Sequence, residues 1–255
     1  MSLRTEYDSW HDRVHGADPA HEDASSPWYA LVREQIGNVT RQRILEVACS
    51  RGGFVCELAR RGAHVIGCDF SFSALCVGRE KVRPLETGAT PGFVQGDAQA
   101  LPFCDESFDM VVSCETIEHV PDVLGALREM WRVSRTGGRL FLTTPNYANL
   151  MGLYDVYSRL RHPAHKDDQP FDRRQWFLQV RQWVSKAGWK ILRSDGTVHQ
   201  LPIVPGHNPI ALPFLESNHF IRKMLSPLSY HYFILAGKYT GRQRAMPGPR
   251  VVSTS

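Results

Sequence analysis

No Cys-x-x-Cys pair occurs among the six cysteines of this 255-residue chain, which argues against a zinc ribbon. Cys49, Cys68 and Cys114 fall near the ends of predicted strands, where a free thiol packs as a small hydrophobe. A reduced, cytoplasmic protein without disulfides is expected. No apolar run approaches the roughly 20 residues of a membrane span, and residues 1–22 are polar, with no signal-peptide core. Charge of one sign is also scarce. Lys and Arg number 30 against 26 Asp and Glu, and the balance of +4 does not indicate a nucleic-acid partner. The chain has no internal repeat. It also lacks a Gly-x-Gly-x-x-Gly turn for a pyrophosphate and a P-loop Gly-Lys-Ser/Thr ending.

What is present is the ordinary composition of a globular protein, long enough for one large α/β domain with insertions. Strands are predicted at 43–48, 64–68, 92–95, 108–113 and 139–144, with helices at 53–61, 73–81 and 123–133 between them. This alternation predicts a doubly wound, mostly parallel sheet. Residues 1–42 read as a polar lead-in or cap with one helix at 28–36, begun by Pro27. Beyond the fifth strand the pattern gives a helix at 172–187, a strand at 189–193 and a final strand at 230–239. Residues 43–240 are expected to form the main domain and 241–255 a disordered tail. Insertions at about 147–171 and 197–229 are long for a compact domain and are expected to form the acceptor side.

The run from Arg43 to Phe54 reads as a buried strand, a tight turn of small residues and a helix start. Such a turn lets a ligand approach the backbone. Three carboxylates follow at strand ends: Glu46, Asp69 and Asp97. A carboxylate ending the second strand has the chemistry to accept both hydrogens of a ribose diol. The turn Ala48-Cys49-Ser50-Arg51-Gly52 has one glycine where a pyrophosphate site wants three, and it suits a ligand without phosphates better.

Over residues 43–146 the chain resembles the class I S-adenosylmethionine-dependent methyltransferases of the broad ubiquinone-biosynthesis-like type. The likeness rests on ILEVACSRGGF, HVIGCDFS, GDAQALPFCDESFDMVVSCETIEHV and LREMWRVSRTGGRLFLTTPN. It implies seven strands, the last antiparallel, and methyl transfer from S-adenosyl-L-methionine to a small molecule, releasing S-adenosyl-L-homocysteine. It also implies cofactor contacts at Ala48, Ser50, Gly52, Asp69, Phe70, Asp97, Ala98, Cys114 and Glu115; Glu46 is expected as a tenth, or else to organise the turn by accepting backbone N–H bonds. Asp69 would take the ribose hydroxyls, and Asp97 with the Ala98 backbone the adenine. The chain departs from the family at Ala48 and Ser50, places usually held by glycine.

His119 is a candidate general base, since imidazole titrates near neutrality. His162, His165, His199, His207 and His219 lie in or beside the insertions, and His165 is the first choice among them for an acceptor-side base. No metal site is expected, because no pair has helical ligand spacing. Arg159, Arg161, Lys166, Arg173 and Arg174 would suit an acidic acceptor, and the apolar stretch 203–228 an amphipathic one. O-methylation of a sugar, phenolic or natural-product hydroxyl is the first expectation. C- or N-methylation of a quinone-like, prenyl or lipid acceptor is the second, and a non-catalytic cofactor-binding scaffold the third. Oligomeric state is left open.

Overall fold

The computed structural model describes residues 2–15, 26–82, 90–161, 169–201, 210–212 and 218–239. The strands are β1 (Arg43–Val47), β2 (His64–Asp69), β3 (Gly92–Gln95), β4 (Phe108–Cys114), β5 (Ser134–Pro145), β6 (Lys190–Thr197), β7 (Gln200–Leu201), β8 (Ile210–Ala211) and β9 (His231–Gly237). β7 and β8 pair with each other, and the other seven form one sheet in the order β3-β2-β1-β4-β5-β9-β6. Strands β1 to β5 are parallel, and β9 runs antiparallel to both β5 and β6. The expected seven-stranded, doubly wound sheet with an antiparallel last strand is what forms.

A parallel sheet buried on both faces needs strands that are apolar on both sides. In β1, Ile44 packs into a layer with Leu31, Ile36 and Phe54, while Leu45 and Val47 pack into the opposite layer with Val111, Leu127 and Val184. Helices α2 (Pro27–Ile36), α3 (Gly53–Arg60) and α4 (Phe72–Lys81) supply residues to the first layer. Helices α5 (Val123–Val133) and α7 (Phe177–Lys186) supply the second.

Four differences from the sequence reading stand out. A helix α1 (Leu3–His15) precedes α2 in what reads as a lead-in. Asp8 fastens it to the start of α4, accepting from Ser71 Oγ (2.6 Å) and Ser73 N (3.2 Å), while Ser73 Oγ donates to Asp12. β5 begins at Ser134, because Gly137 carries a left-handed bend (φ 82°) within the strand. The first insertion holds a helix α6 (Leu150–Arg161) whose Leu150, Leu153 and Leu160 are exposed, so the apolar spacing gives no core-facing stripe. The second insertion holds α8 (His219–Leu225), capped by Asn218, with buried Arg222 reaching Glu34 of α2 and Asp195 of β6. The expected tail at 241–255 lies outside the described residues. Among the described residues, no helix is long and apolar enough to cross a membrane.

Candidate active site

Strand order reverses between β1 and β4, and open sheets of this kind bind ligands at such a point, beyond the carboxyl ends of the strands. A cavity of about 380 Å³ lies there. Its wall includes Ala48 and Ser50 after β1, Asp69 and Phe70 at the end of β2, Asp97 and Ala98 after β3, and Cys114, Glu115 and His119 from the end of β4 onward. Tyr7 and Trp10 from α1, with Trp28 and Tyr29 from α2, also line it. Eight of the ten expected cofactor contacts are thus brought to one cavity.

Glu46 and Gly52 are not part of that wall. Glu46 is buried in β1, where its Oε1 accepts from the Tyr29 hydroxyl at 2.7 Å. Gly52 is left-handed (φ 69°), and a side chain there would run into the Phe93 ring. Its constraint therefore comes from packing behind the turn.

The turn after β1 takes an unusual path. Ala48 (φ 58°) and Ser50 (φ 48°) are both left-handed, a region that favours glycine. The two positions that depart from the family's glycines thus keep a glycine-like backbone, at roughly 1–2 kcal/mol of strain each. Strain of this sort persists where the surroundings hold it. Here the Ser50 N–H is held by Asp69 Oδ2 at 2.7 Å, and Cys49 N donates to Cys68 O at 3.1 Å.

Asp69 Oδ1 accepts from Ser71 N at 2.8 Å, so each carboxylate oxygen holds one backbone N–H. Burial raises this carboxyl to about 6, against the pull of the Ser71 and Ser50 N–H groups, and the charge of Asp8 adds to the rise. Asp97 accepts from Gln99 N (2.8 Å), which shapes the loop after β3. Burial pushes the Cys114 thiol well up, and that of Cys68 to about 12, so neither serves as a nucleophile near neutral pH. Small residues at 48 and 50 and a buried carboxylate at the cavity wall, with the chemistry to accept a diol, fit S-adenosylmethionine.

His119 reaches the cavity, but its Nδ1 donates to the Phe171 carbonyl at 2.9 Å, which Tyr7 OH also approaches at 3.3 Å. Burial lowers its pKa, which keeps the imidazole neutral. Next to it Glu118 is fully buried, accepting from Thr144 Oγ1 at 2.9 Å. Burial, and then the charge of Glu115, raise its pKa well above the usual carboxylate range. These two residues tie the loop after β4 to β5 and to the segment before α7.

His165 lies outside the described residues, as do His162, His207, Lys166 and residues 203–209. His199 is buried and its Nε2 lies 3.2 Å from Leu225 O, a contact that ends α8. The basic cluster is partly neutralised, since Arg159 and Arg174 both bond Asp155. Arg173 donates to the Pro121 carbonyl at 2.8 Å. Among the described residues, no group of three or more His, Cys, Asp or Glu could hold a metal ion.

The sequence reading missed the aromatic roof and His231. Tyr7, Trp10 and His11 share one face of α1 at i, i+3 and i+4, a helical signal that was there to be read. His231 sits in an apolar strand and gives no local signal.

Comparison with known proteins agrees with this geometry. A family model described as "Methyltransferase domain" matches residues 45–142. The chain is 31% identical over 177 residues to the demethylmenaquinone methyltransferase of Renibacterium salmoninarum, covering 64% of this chain and 72% of that one. It is 36% identical over 137 residues to the ubiquinone/menaquinone biosynthesis C-methyltransferase of Pectobacterium atrosepticum, covering 51% and 55%. In fold it is similar to phosphoethanolamine N-methyltransferase 2 of Haemonchus contortus, solved with S-adenosyl-L-methionine. The TM-score is 0.66 at 18% identity, covering 94% of this chain and 60% of that one. The chain belongs to the class I S-adenosylmethionine-dependent methyltransferases, enzymes that pass the methyl group of that cofactor to a small molecule.

Proposed function

We propose that this enzyme methylates a ring carbon of a quinone-like acceptor in its reduced, hydroxyl-bearing form. The observation that carries this reading is the 31% identity to a demethylmenaquinone methyltransferase over 72% of its length. It favours the second expectation from the sequence over O-methylation of a sugar or phenolic hydroxyl. The aromatic roof of Tyr7, Trp10, Trp28 and Tyr29 supports it, because a flat apolar ring packs well against such side chains. Exposed Leu153, Leu160, Phe220 and Met224 on α6 and α8 also suit an acceptor with an apolar tail.

In this reading Asp69 accepts the ribose hydroxyls and Asp97 with Ala98 meets the adenine. The turn through Ala48 and Ser50 receives the methionine end, and Cys114 and Glu115 lie beside the reacting centre. The cofactor supplies a methyl group already activated by its sulfonium charge. The chain's own work is to hold the acceptor in line with that methyl and to exclude water, which α1 and α2 do by roofing the cavity. A carbon nucleophile of this kind also needs its neighbouring hydroxyl ionised, which calls for a base.

The test is incubation with methyl-labelled S-adenosylmethionine and a short-tailed demethylmenaquinol, with the product identified by mass spectrometry and NMR. Label on a ring carbon is expected. Label on oxygen alone returns the reading to O-methylation, and absence of product from this acceptor overturns it.

A further inference from the structure

The end of β4 and the start of β9 meet in one polar contact. His231 Nδ1 lies 2.9 Å from Glu115 Oε2, across 116 residues of sequence. The other carboxylate oxygen, Oε1, is buried without a hydrogen-bond partner, in a residue that lines the cavity. Glu115 is left-handed (φ 48°), and its N–H is held by Thr143 O at 3.0 Å. A bulky residue in that conformation is strained, and such strain clusters at functional sites. His231 is buried, with the Trp28 ring at 5.1 Å and the Tyr230 ring at 4.8 Å. A strained, half-satisfied carboxylate in the wall of a ligand cavity, gripped by a fixed imidazole, exceeds what packing requires.

We propose that Glu115 is the base that takes the acceptor's hydroxyl proton, and that His231 is the positioning residue that orients Glu115. This rests on the reading of a hydroxylated ring as acceptor. The O–H bond of the ring breaks and its proton passes to the Glu115 carboxylate. The ring carbon beside that oxygen forms its bond to the methyl as the S–CH3 bond breaks, the electron pair staying on sulfur. The hydrogen displaced from the carbon leaves as a proton to solvent, and Glu115 returns its own to the ring oxygen. One proton is released per methyl transferred.

The groups facing the pair are Glu118 and His119 from the same loop, Cys114 before it, and Tyr230 beside His231 with Tyr147 packed on it. Burial raises Glu118, Cys114, Tyr230 and Tyr147 and lowers His119, so all five are held in their neutral forms. The carboxylates Glu46 and Asp172 act on the same groups, and His231 supplies the hydrogen bond on Glu115 itself. An N–H donated to a carboxylate favours its charged form, so losing it moves the acid limb of the rate profile to higher pH.

The experiment measures methylation of the reduced quinol from roughly pH 5 to 9 for wild type, Glu115→Gln, His231→Phe and His231→Asn, with S-adenosylhomocysteine affinity by calorimetry. Glu115→Gln is expected to lower kcat about 100-fold or more while that affinity stays within about threefold. His231→Phe is expected to lower kcat about tenfold and raise the acid limb by about one pH unit, and His231→Asn, which keeps an N–H donor, to recover most of both. Three results overturn the proposal: a Glu115→Gln kcat within about threefold of wild type, a loss in that variant confined to cofactor affinity, or a His231→Phe profile that overlays wild type. If the quinol gives no product, the same variants are compared on whichever cell-extract acceptor is labelled. Loss of turnover in Glu115→Gln there retains the base while the quinol reading fails, and unchanged turnover rejects the base as well.

Discussion

The carboxylate of Asp69, at the end of β2, holds the backbone N–H of Ser50 in the turn after β1, across 2.7 Å. One group thus braces the turn and faces the ligand, and burial raises its pKa from 3.8 to about 6. The folded protein therefore binds this proton more tightly than the unfolded chain does. Its contribution favours folding at low pH and is lost as pH rises from about 4 to about 6, by up to about 3 kcal/mol. Cofactor binding runs the other way, because the ionised form accepts the hydroxyls better. S-Adenosylhomocysteine affinity is expected to fall as pH drops below about 6, by up to tenfold per unit. Asp69→Asn should flatten both curves and weaken binding at least about tenfold. Urea melts and calorimetry across this range check it, and an unchanged affinity in Asp69→Asn removes the ribose assignment.

Ala48 and Ser50 carry left-handed strain that glycine would not feel. Ala48→Gly and Ser50→Gly are each expected to stabilise the fold by about 0.5–1 kcal/mol, the relieved strain less the added freedom of the unfolded chain. Cofactor affinity should change little, since the path of the turn is kept. Ala48→Val should do the reverse, because a β-branched residue resists this region and its extra methyls enter the cavity. Urea midpoints and calorimetry read both effects. Destabilisation by either glycine variant would show that the side chain contributes more than its strain costs.

Much of this site was legible because the residues at a strand's end are fixed by the apolar run before them. Asp69, Asp97, Cys114 and Glu115 follow such runs directly, and the sheet then gathers them at one edge. The roof was not legible as a roof. α1 buries only part of one face, and that face closes on a cavity rather than on a core, so its periodicity is weak. α6 was hidden for the opposite reason, because its leucines face outward. His231 depends on β9 folding back between β5 and β6, a long-range pairing that leaves no trace in the local run YHYFILAGKY.

The roof depends on Asp8. Through Ser71 and Ser73 it anchors α1 to the start of α4, beside Phe70, whose ring meets Tyr7 edge-on at 6.1 Å. Asp8→Ala is expected to speed S-adenosylhomocysteine release about fivefold in stopped-flow, with a smaller effect on association, since a loosened cap mainly shortens residence. It should also move the pH midpoint of binding downward, because the Asp8 charge helps hold Asp69 up. A release rate equal to wild type would show that α1 does not gate the cavity.

Tyr29 separates two roles for Glu46. Its hydroxyl donates to Glu46 Oε1 at 2.7 Å, while its ring stacks on Phe54 at a centroid distance of 4.4 Å. Tyr29→Phe keeps the stacking and removes only the donor to a carboxylate that is 1% exposed. Leaving a buried acceptor without its donor costs about 1–3 kcal/mol, so the urea midpoint should fall by that equivalent with an unchanged slope. If Glu46 serves to anchor α2 to β1, S-adenosylhomocysteine affinity in this variant and in Glu46→Gln should stay within about threefold once folding is allowed for. A larger loss in Glu46→Gln at full folding would place Glu46 on the cofactor, the other role its sequence position suggests. The cavity wall favours the anchor, because Tyr29 reaches it and Glu46 does not.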